Sequence, residues 1–335
     1  MNTCGMQKIL FLFLFFSCFF LTADEEVLSV AVIGAGPAGL GSALVTGREQ
    51  IETHIFQGGK LGGPLNAYTC LGNWPASVPG KGEVVIERLI EQVKKFGCHF
   101  HEEAITAIDF SDWPYRISTD VGKEYYAKAV ILAMGSSQKR LKVKGENAYM
   151  GKGVEMYVYA TSADRFSGKR VVVVGAGLDA VKKACILAKT AERVTLVVRG
   201  NQLQKPFFNV KIAKKRMGKI DVLYHAEVQE ICGDAERVTH IILNGPYGRR
   251  VISADALVLG IGIVPNTALV EGQVPVDGRG YILLEGRSQK TPLFGVFAAG
   301  NVSDPRYHQA AISAGDGMKA GYDAIAFFNA LPSEE

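Results

Sequence analysis

Cysteine is scarce in this chain of 335 residues, and the spacing of the six cysteines excludes several kinds of site. They are Cys4, Cys18, Cys70, Cys98, Cys185 and Cys232. No two of them form a CxxC pair, and the six histidines form no HxxxH or HExxH pair. Because zinc sites are usually built from such closely spaced ligands, the sequence predicts no metal site.

Charge and nucleophile motifs are sparse as well. The net charge is only +4 and the basic residues are scattered, so the composition does not favour a nucleic-acid partner. No GxSxG motif is present, which excludes the common serine-hydrolase turn. Glycine, in contrast, is plentiful at 38 residues, and 48% of the chain is hydrophobic. These values suit an α/β enzyme with room for two domains.

A long hydrophobic run occurs once, at the N-terminus. Residues 9–21 follow Lys8 and are apolar except for Ser17. A membrane-spanning helix needs about 20 residues, so this run is short for a span and suits the core of a secretory signal peptide. We therefore expect residues 1–23 to be a signal peptide, cleaved near Ala23, and the protein to be periplasmic, secreted or luminal. The alternative is an uncleaved membrane anchor.

Two glycine loops follow apolar, β-rich runs. The first is VAVIGAGPAGL at 30–40 and the second is VVVVGAGLDAV at 171–181. Glycines in such a turn let the backbone approach a pyrophosphate, which then binds the N–H groups that open the next helix. Two such loops at domain-sized spacing predict two nucleotides in one protein, and flavin with nicotinamide is the usual pair.

The apolar pattern around the loops predicts an α/β fold with two Rossmann-like dinucleotide-binding domains, the first being interrupted by the second as an insert. We expect the first domain at 24–143 and 265–335 and the insert at 144–264. The predicted strands are 27–33, 53–56, 129–133, 171–174, 193–198 and 256–259, and the predicted helices are 38–45, 83–96, 179–189 and 309–328. The second strand ends at Gln57, where a ribose-binding acid often lies.

Eight motifs occur in the order found in low-molecular-weight thioredoxin reductases. They are GAGPAG (34–39), GGPL (62–65), NWP (73–75), AMG (133–135), GAGLDA (175–180), PNT (265–267), GVFAAGN (295–301) and YHQA (307–310). The chain resembles that family from about Val27 to Phe328. The resemblance implies an FAD domain interrupted by an NADPH domain, and a homodimer.

The resemblance also assigns cofactor-binding positions. Asn301 stands where the family has an aspartate, and His308 where it has an arginine; an amide still accepts a hydrogen bond from a hydroxyl. The positions implied for the FAD pyrophosphate, the ribose, the ribityl chain and the flavin ring are Gly34, Gly36, Gly39, Gln57, Gly63, Leu65, Asn73, Gly135, Gly300, Asn301, His308, Gln309 and Ala310.

For the nicotinamide dinucleotide, the resemblance implies Gly175, Gly177, Ala180 and Arg199. The family's HRR-x-x-x-R run, which grips the 2′-phosphate, reads here as Val198, Arg199, Gly200 and then Gln204, so one of three basic groups remains. Charge-assisted bonds dominate phosphate recognition, and their loss predicts a weakened preference for NADPH. The cofactors are therefore expected to be FAD with NADP or NAD.

The catalytic dithiol of the family is missing. In place of its Cys-Ala-Thr-Cys-Asp segment the chain has Tyr159, Ala160, Thr161, Ser162 and Ala163. A tyrosine and a serine form no disulfide, so the relay from flavin to thioredoxin is absent. The sequence predicts an FAD-dependent NAD(P)H oxidoreductase with a small-molecule or redox-protein acceptor other than thioredoxin, and it identifies no catalytic acid, base or nucleophile. The alternatives are a thioredoxin reductase using unusual thiols, such as Cys70, and a non-catalytic flavin-binding protein.

Overall fold

The computed structural model describes residues 27–59, 61–67, 71–203 and 220–332. The predicted signal peptide, Cys70 and Gln204 lie outside these ranges. Within them, no helix combines the length and the apolar character that a membrane crossing requires.

A seven-stranded sheet forms the centre of the first unit. Its strands are β1 (Val27–Ile33), β2 (Thr53–Phe56), β3 (His99–His101), β4 (Ile105–Asp109), β5 (Tyr115–Thr119), β6 (Glu124–Leu132) and β17 (Val296–Ala298). The order is β3-β2-β1-β6-β5-β4, and β17 pairs with the last part of β6. Strands β1, β2, β3, β6 and β17 are parallel, whereas β4 and β5 run antiparallel to their neighbours.

Both faces of this sheet are covered, as expected for strands that read as continuous apolar runs. One face packs against α1 (Pro37–Arg48), α2 (Gly82–Lys94) and the long helix α4 (Ala310–Ala330). Small residues let α4 approach α1 closely: a Cβ on Gly321 would lie 2.8 Å from the carbonyl oxygen of Ser42. The other face packs against apolar side chains of the segment 269–284.

The inserted unit contains a five-stranded parallel sheet. Its strands are β8 (Val154–Glu155), β9 (Arg170–Val174), β10 (Arg193–Val198), β11 (Ile220–Tyr224) and β15 (Ala256–Leu259), in the order β11-β10-β9-β15-β8. Helix α3 (Leu178–Leu187) covers one face. The antiparallel strands β12 (Glu227–Gly233), β13 (Val238–Gly245) and β14 (Gly248–Ser253) cover the other.

An ion pair fixes the two central strands of the insert. The guanidinium of Arg170 donates to both carboxylate oxygens of Asp255, at 3.0 and 2.8 Å, and the Arg170 backbone N–H adds a third bond at 2.9 Å. The side-chain bond from Arg170 is the largest influence and lowers the pKa of Asp255 to about 2. The carboxylate is therefore charged at neutral pH and holds the start of β9 against the start of β15.

The chain passes between the two units twice at nearly the same place. Strand β7 (Ser136–Gln138) leaves the first unit and β16 (Ile263–Pro265) returns to it. These two short strands pair antiparallel, with Ser137 opposite Val264. The entry and exit of the inserted unit therefore lie side by side.

Candidate functional site

The first glycine loop joins β1 to α1 at the carboxyl end of the sheet. The Gly34 N–H donates to the carbonyl of Phe56 at 2.8 Å, and its φ of +110° is a conformation that favours glycine. Gly36 differs, because its φ of −80° suits any residue and no atom lies within 4 Å of an added Cβ. The protein itself does not require glycine at 36. The open space there is where the N–H groups opening α1 would receive a pyrophosphate.

The GGPL segment lies against this loop. The Gly62 N–H donates to the Ala35 carbonyl at 2.8 Å, and a Cβ on Gly63 would lie 3.8 Å from the Cα of Gly36. Gly63 is thus beside the proposed pyrophosphate position. Leu65 is instead buried in the hydrophobic core, so the structure assigns it a packing role beneath the site. Gly39 is also a packing residue, since a Cβ there would collide with the Gly34 carbonyl.

The turn after β17 reaches the same end of the sheet. Gly300 has a φ of +75°, and a Cβ on it would lie 2.9 Å from the Cβ of Ala38 in α1. The Asn301 amide donates to the hydroxyl of Ser136 at 3.1 Å and accepts from Ser313 at 3.3 Å. Two hydrogen bonds therefore fix the orientation of the Asn301 side chain. Such a fixed orientation suits a residue that binds the hydroxyls of a ligand.

Residues distant in sequence meet at the N-terminus of α4. The Asn73 amide donates to the side-chain oxygen of Gln309 at 2.8 Å, and Gln309 is the residue that precedes the first turn of α4, which starts at Ala310. This pairing brings NWP and YHQA together. Because α4 begins here, the unpaired backbone N–H groups of its first turn would face a ligand bound at this position.

His308, next to Gln309, is an exposed residue packed against Tyr281. The two rings are nearly parallel, with centroids 6.3 Å apart, and the Nε2 of His308 lies 3.1 Å from the Asp304 carbonyl oxygen. Burial raises the pKa of Tyr281, so its hydroxyl stays protonated and remains a hydrogen-bond donor. The ring of His308 is thereby held near the N-terminus of α4.

Two further predicted positions lie at neighbouring strand ends. Gln57 follows β2 and its backbone N–H donates to the His101 carbonyl at 3.0 Å. Gly135 follows β6 with a φ of +66°, and no atom lies within 4 Å of a Cβ added to it. The carboxyl ends of the parallel strands β1, β2, β6 and β17 therefore lie at one edge of the sheet, which is where a doubly wound sheet binds its ligand.

The second glycine loop opens a cavity of about 1550 Å³. Gly175 has a φ of +136°, and Gly177 precedes α3 with the same backbone conformation as Gly36. Both glycines line the cavity. Ala180 is fully buried, and a Cβ on Gly260 would lie 2.7 Å from its methyl group. Ala180 therefore permits close packing of α3 under the loop and is not part of the cavity wall.

Arg199 follows β10 and lines the same cavity. Its side chain is 86% exposed, and its Nε lies 3.8 Å from a carboxylate oxygen of Glu227. Lys139 and Lys142 also line the cavity. Glu227 and the two lysines were not predicted from the sequence, since they come from β12 and from the connection after β7. A carboxylate beside the arginine disfavours a phosphate at this position, because the two anions would repel.

The segment that replaces the family's dithiol is a short 3₁₀ helix, Ala160–Phe166. The Ser162 hydroxyl accepts from the Tyr159 backbone N–H at 3.1 Å and lies 3.2 Å from the Tyr159 carbonyl oxygen, to which it donates. This hydroxyl therefore stabilises the start of the turn. Neither residue supplies a redox group.

The described cysteines, Cys98, Cys185 and Cys232, form no disulfide and are poorly suited to replace that dithiol. Burial raises the pKa of Cys98 to about 11, and its Sγ donates to the Ala43 carbonyl at 3.4 Å. Cys185 is buried in the core beneath α3. Burial and the neighbouring Glu230 raise the pKa of Cys232. A raised pKa removes the thiolate, which is the reactive form.

Comparisons with known proteins agree with this geometry. Residues 28–317 match the family described as pyridine nucleotide-disulphide oxidoreductase. The chain is 32% identical over 314 residues to a thioredoxin reductase of Coxiella burnetii, covering 90% of this chain and 97% of that one. It is 34% identical over 312 residues to a glucosaminate ammonia-lyase of Pseudomonas fluorescens, covering 90% and 96%. The solved thioredoxin reductase of Giardia duodenalis superposes with a TM-score of 0.69 at 32% identity, covering 91% and 100%.

Proposed function

Because the chain belongs to the pyridine nucleotide-disulphide oxidoreductase family and is an oxidoreductase of the thioredoxin-reductase-like fold, we propose that it oxidises NADH or NADPH and passes the electrons to an acceptor other than thioredoxin. Members of this family use FAD and NADPH. The observation that carries the proposal is that both glycine loops are intact while the segment 159–162 has no thiol.

The residues present suit the two cofactors. A pyrophosphate and the ribityl chain attached to it fit the open space beside Gly36 and Gly135, at the N-terminus of α1. The side chain of Asn301 is oriented so that it can hydrogen-bond a hydroxyl of that chain. Bound FAD would accept hydride from the nicotinamide and release the electrons singly or in pairs. The protein's part is to orient the two rings and exclude water, for which no acid or base is needed. The lining of the cavity by Gly177 and Arg199 supports its assignment to the nicotinamide dinucleotide.

Two other functions are less well supported. A thioredoxin reductase using unusual thiols would need a reactive cysteine pair, yet the described thiols are buried or have raised pKa values. A flavin-binding protein without turnover would not need the second glycine loop or its cavity. The ammonia-lyase among the relatives carries a name outside redox chemistry, and a lyase activity of this chain would show as product formation without NAD(P)H consumption.

We expect NADH and NADPH to reduce the flavin with second-order rate constants within about tenfold of each other, since a single phosphate contact, such as the one that Arg199 could still make, is worth on the order of 1–2 kcal/mol. The measurement is anaerobic mixing of the FAD-loaded protein with each nucleotide while the flavin absorbance is followed. This experiment also tests the proposed function, because no bleaching by either nucleotide would contradict it.

Two variants test which residues set the preference between NADH and NADPH. Arg199→Ala should slow reduction by NADPH and leave reduction by NADH nearly unchanged. The isosteric change Glu227→Gln should favour NADPH, because it removes the negative charge beside Arg199. A preference of the unmodified protein for NADPH above about a thousandfold would overturn the prediction and point to Lys139 and Lys142 as the phosphate ligands.

We further propose that residues 1–23 direct export. The support is the short apolar run after Lys8 and before Ala23. Cell fractionation with mass spectrometry should find a form shorter by about 20 residues outside the cytosol. Full-length protein in the cytosolic fraction would contradict this expectation.

A further inference from the structure

Three histidines and a glutamate lie together at the edge of the first sheet. Strands β2 and β3 are parallel neighbours, and His54 stands opposite His99 in their register. The rings of His54 and His99 stack with centroids 4.6 Å apart. Glu52 is two residues before His54, and its carboxylate lies on the same side of the strand. Pairing of the two strands thus assembles residues that no sequence spacing connects.

His54 is the unusual member of this cluster. It is 4% exposed, and its Nδ1 lies 2.9 Å from the Nε2 of His101. Its Nε2 is buried and has no aligned hydrogen-bond partner within the described parts of the chain, although the Oε1 of Glu52 is only 3.3 Å away. A buried ring nitrogen that has a carboxylate beside it but no aligned hydrogen bond remains available to bind a further partner.

We propose that Glu52, His54 and His99 bind a divalent transition-metal ion of the zinc class. The three potential ligand atoms all lie within 4.8 Å of one another. Ligand distances of 2.0–2.2 Å in a tetrahedral zinc site place neighbouring ligand atoms about 3.4 Å apart, which agrees with the 3.3 Å between His54 and Glu52. His99 is exposed, so its ring can move closer.

The surroundings suit this role. If Nδ1 of His54 carries the proton and donates to His101, Nε2 keeps its lone pair for the metal, which is the usual arrangement of a metal-binding histidine and its outer partner. The other carboxylate oxygen of Glu52 lies 3.4 Å from both the backbone N–H and the hydroxyl of Ser29, which donate to it. Imidazole and carboxylate ligands favour Zn²⁺, and the exposed side leaves a fourth position for water.

The experiment is equilibrium dialysis of the FAD-loaded, untagged protein against ZnCl₂, with metal content measured by elemental analysis. The expected result is one Zn²⁺ per chain. His99→Asn and Glu52→Gln change exposed side chains and should each weaken binding at least about tenfold. The matched control is His225→Asn in the inserted unit, where an exposed histidine has a φ of +54° that asparagine also accepts. This control should bind zinc like the unmodified protein.

Thermal unfolding gives a second measurement, because an ion that binds the folded state raises the midpoint. At one Zn²⁺ concentration, the midpoint should rise in the unmodified protein and in His225→Asn, and should rise clearly less in His99→Asn. Flavin content reports that each variant is folded. Stoichiometric zinc binding that survives both His99→Asn and Glu52→Gln would overturn the proposal, as would the absence of zinc binding by the unmodified protein.

Discussion

Replacing Gly36 with valine is expected to give a folded protein that has lost FAD affinity by at least about a hundredfold. The backbone at 36 has a φ that valine adopts, and no protein atom lies within 4 Å of the added Cβ, so the fold should tolerate the change. The branched side chain would instead fill the space of the pyrophosphate at the N-terminus of α1. The measurement is the flavin absorbance that remains after reconstitution with excess FAD and desalting.

The same substitution in the other loop serves as the control. Gly177 has the same backbone conformation before α3, so Gly177→Val should keep FAD but bleach slowly with either nicotinamide nucleotide. Circular dichroism should show both variants folded. Stoichiometric FAD in Gly36→Val would mean that the first loop is not the pyrophosphate site.

The second large effect concerns the acceptor: the reduced enzyme should transfer electrons to a quinone and should not reduce thioredoxin disulfide at a useful rate. Reduction of a disulfide at a distance requires a dithiol that exchanges with both the flavin and the protein substrate. Tyr159 and Ser162 supply no thiol, and the Ser162 hydroxyl is hydrogen-bonded to the backbone of Tyr159. A quinone needs only access to the flavin edge; in the net reaction it receives two electrons and one proton as the hydride equivalent of NAD(P)H, takes a second proton from solvent, and becomes the hydroquinone.

The measurement compares NAD(P)H consumption with thioredoxin and with a quinone, and repeats both with Cys70→Ser. Quinone turnover should be unaffected by that change. Rapid thioredoxin reduction that disappears in Cys70→Ser would overturn the prediction and establish an unconventional thiol relay. Failure with every acceptor, despite bound FAD, would support the non-catalytic alternative.

The central parallel strands were predictable because most of their side chains are apolar. The predicted bounds of β1, β2, β10 and β15 agree with the structure, and the predicted helices differ from the observed ones by a few residues at their ends. These differences arise because helix ends fray and the sequence does not fix the terminal residue of a helix. The antiparallel strands were missed: β5, for example, alternates buried and exposed positions over only five residues. The parallel strand β3 was missed as well, because His-Phe-His is too short and too polar to show an apolar run.

The site was predictable in part. The glycine positions follow from the chemistry of pyrophosphate binding, but their individual roles do not. Ala180 and Leu65 matched the family pattern and lie in the core. The bond between Asn73 and Gln309 joins residues far apart in the chain, and the histidine cluster arises only from the pairing of β2 with β3. Such contacts depend on tertiary structure, which local patterns do not encode.

The position of β17 has a consequence for synthesis. This strand pairs with Val130, Ile131 and Leu132 of β6, and the whole inserted unit lies between the two strands in the chain. A ribosome delivers the N-terminal part first, so these three residues, fully buried in the finished protein, emerge long before their partner exists. A truncated chain that ends before Val296 would therefore contain the complete inserted unit but would lack β17, the partner of the last part of β6. Its unpaired apolar strand would be a template for aggregation.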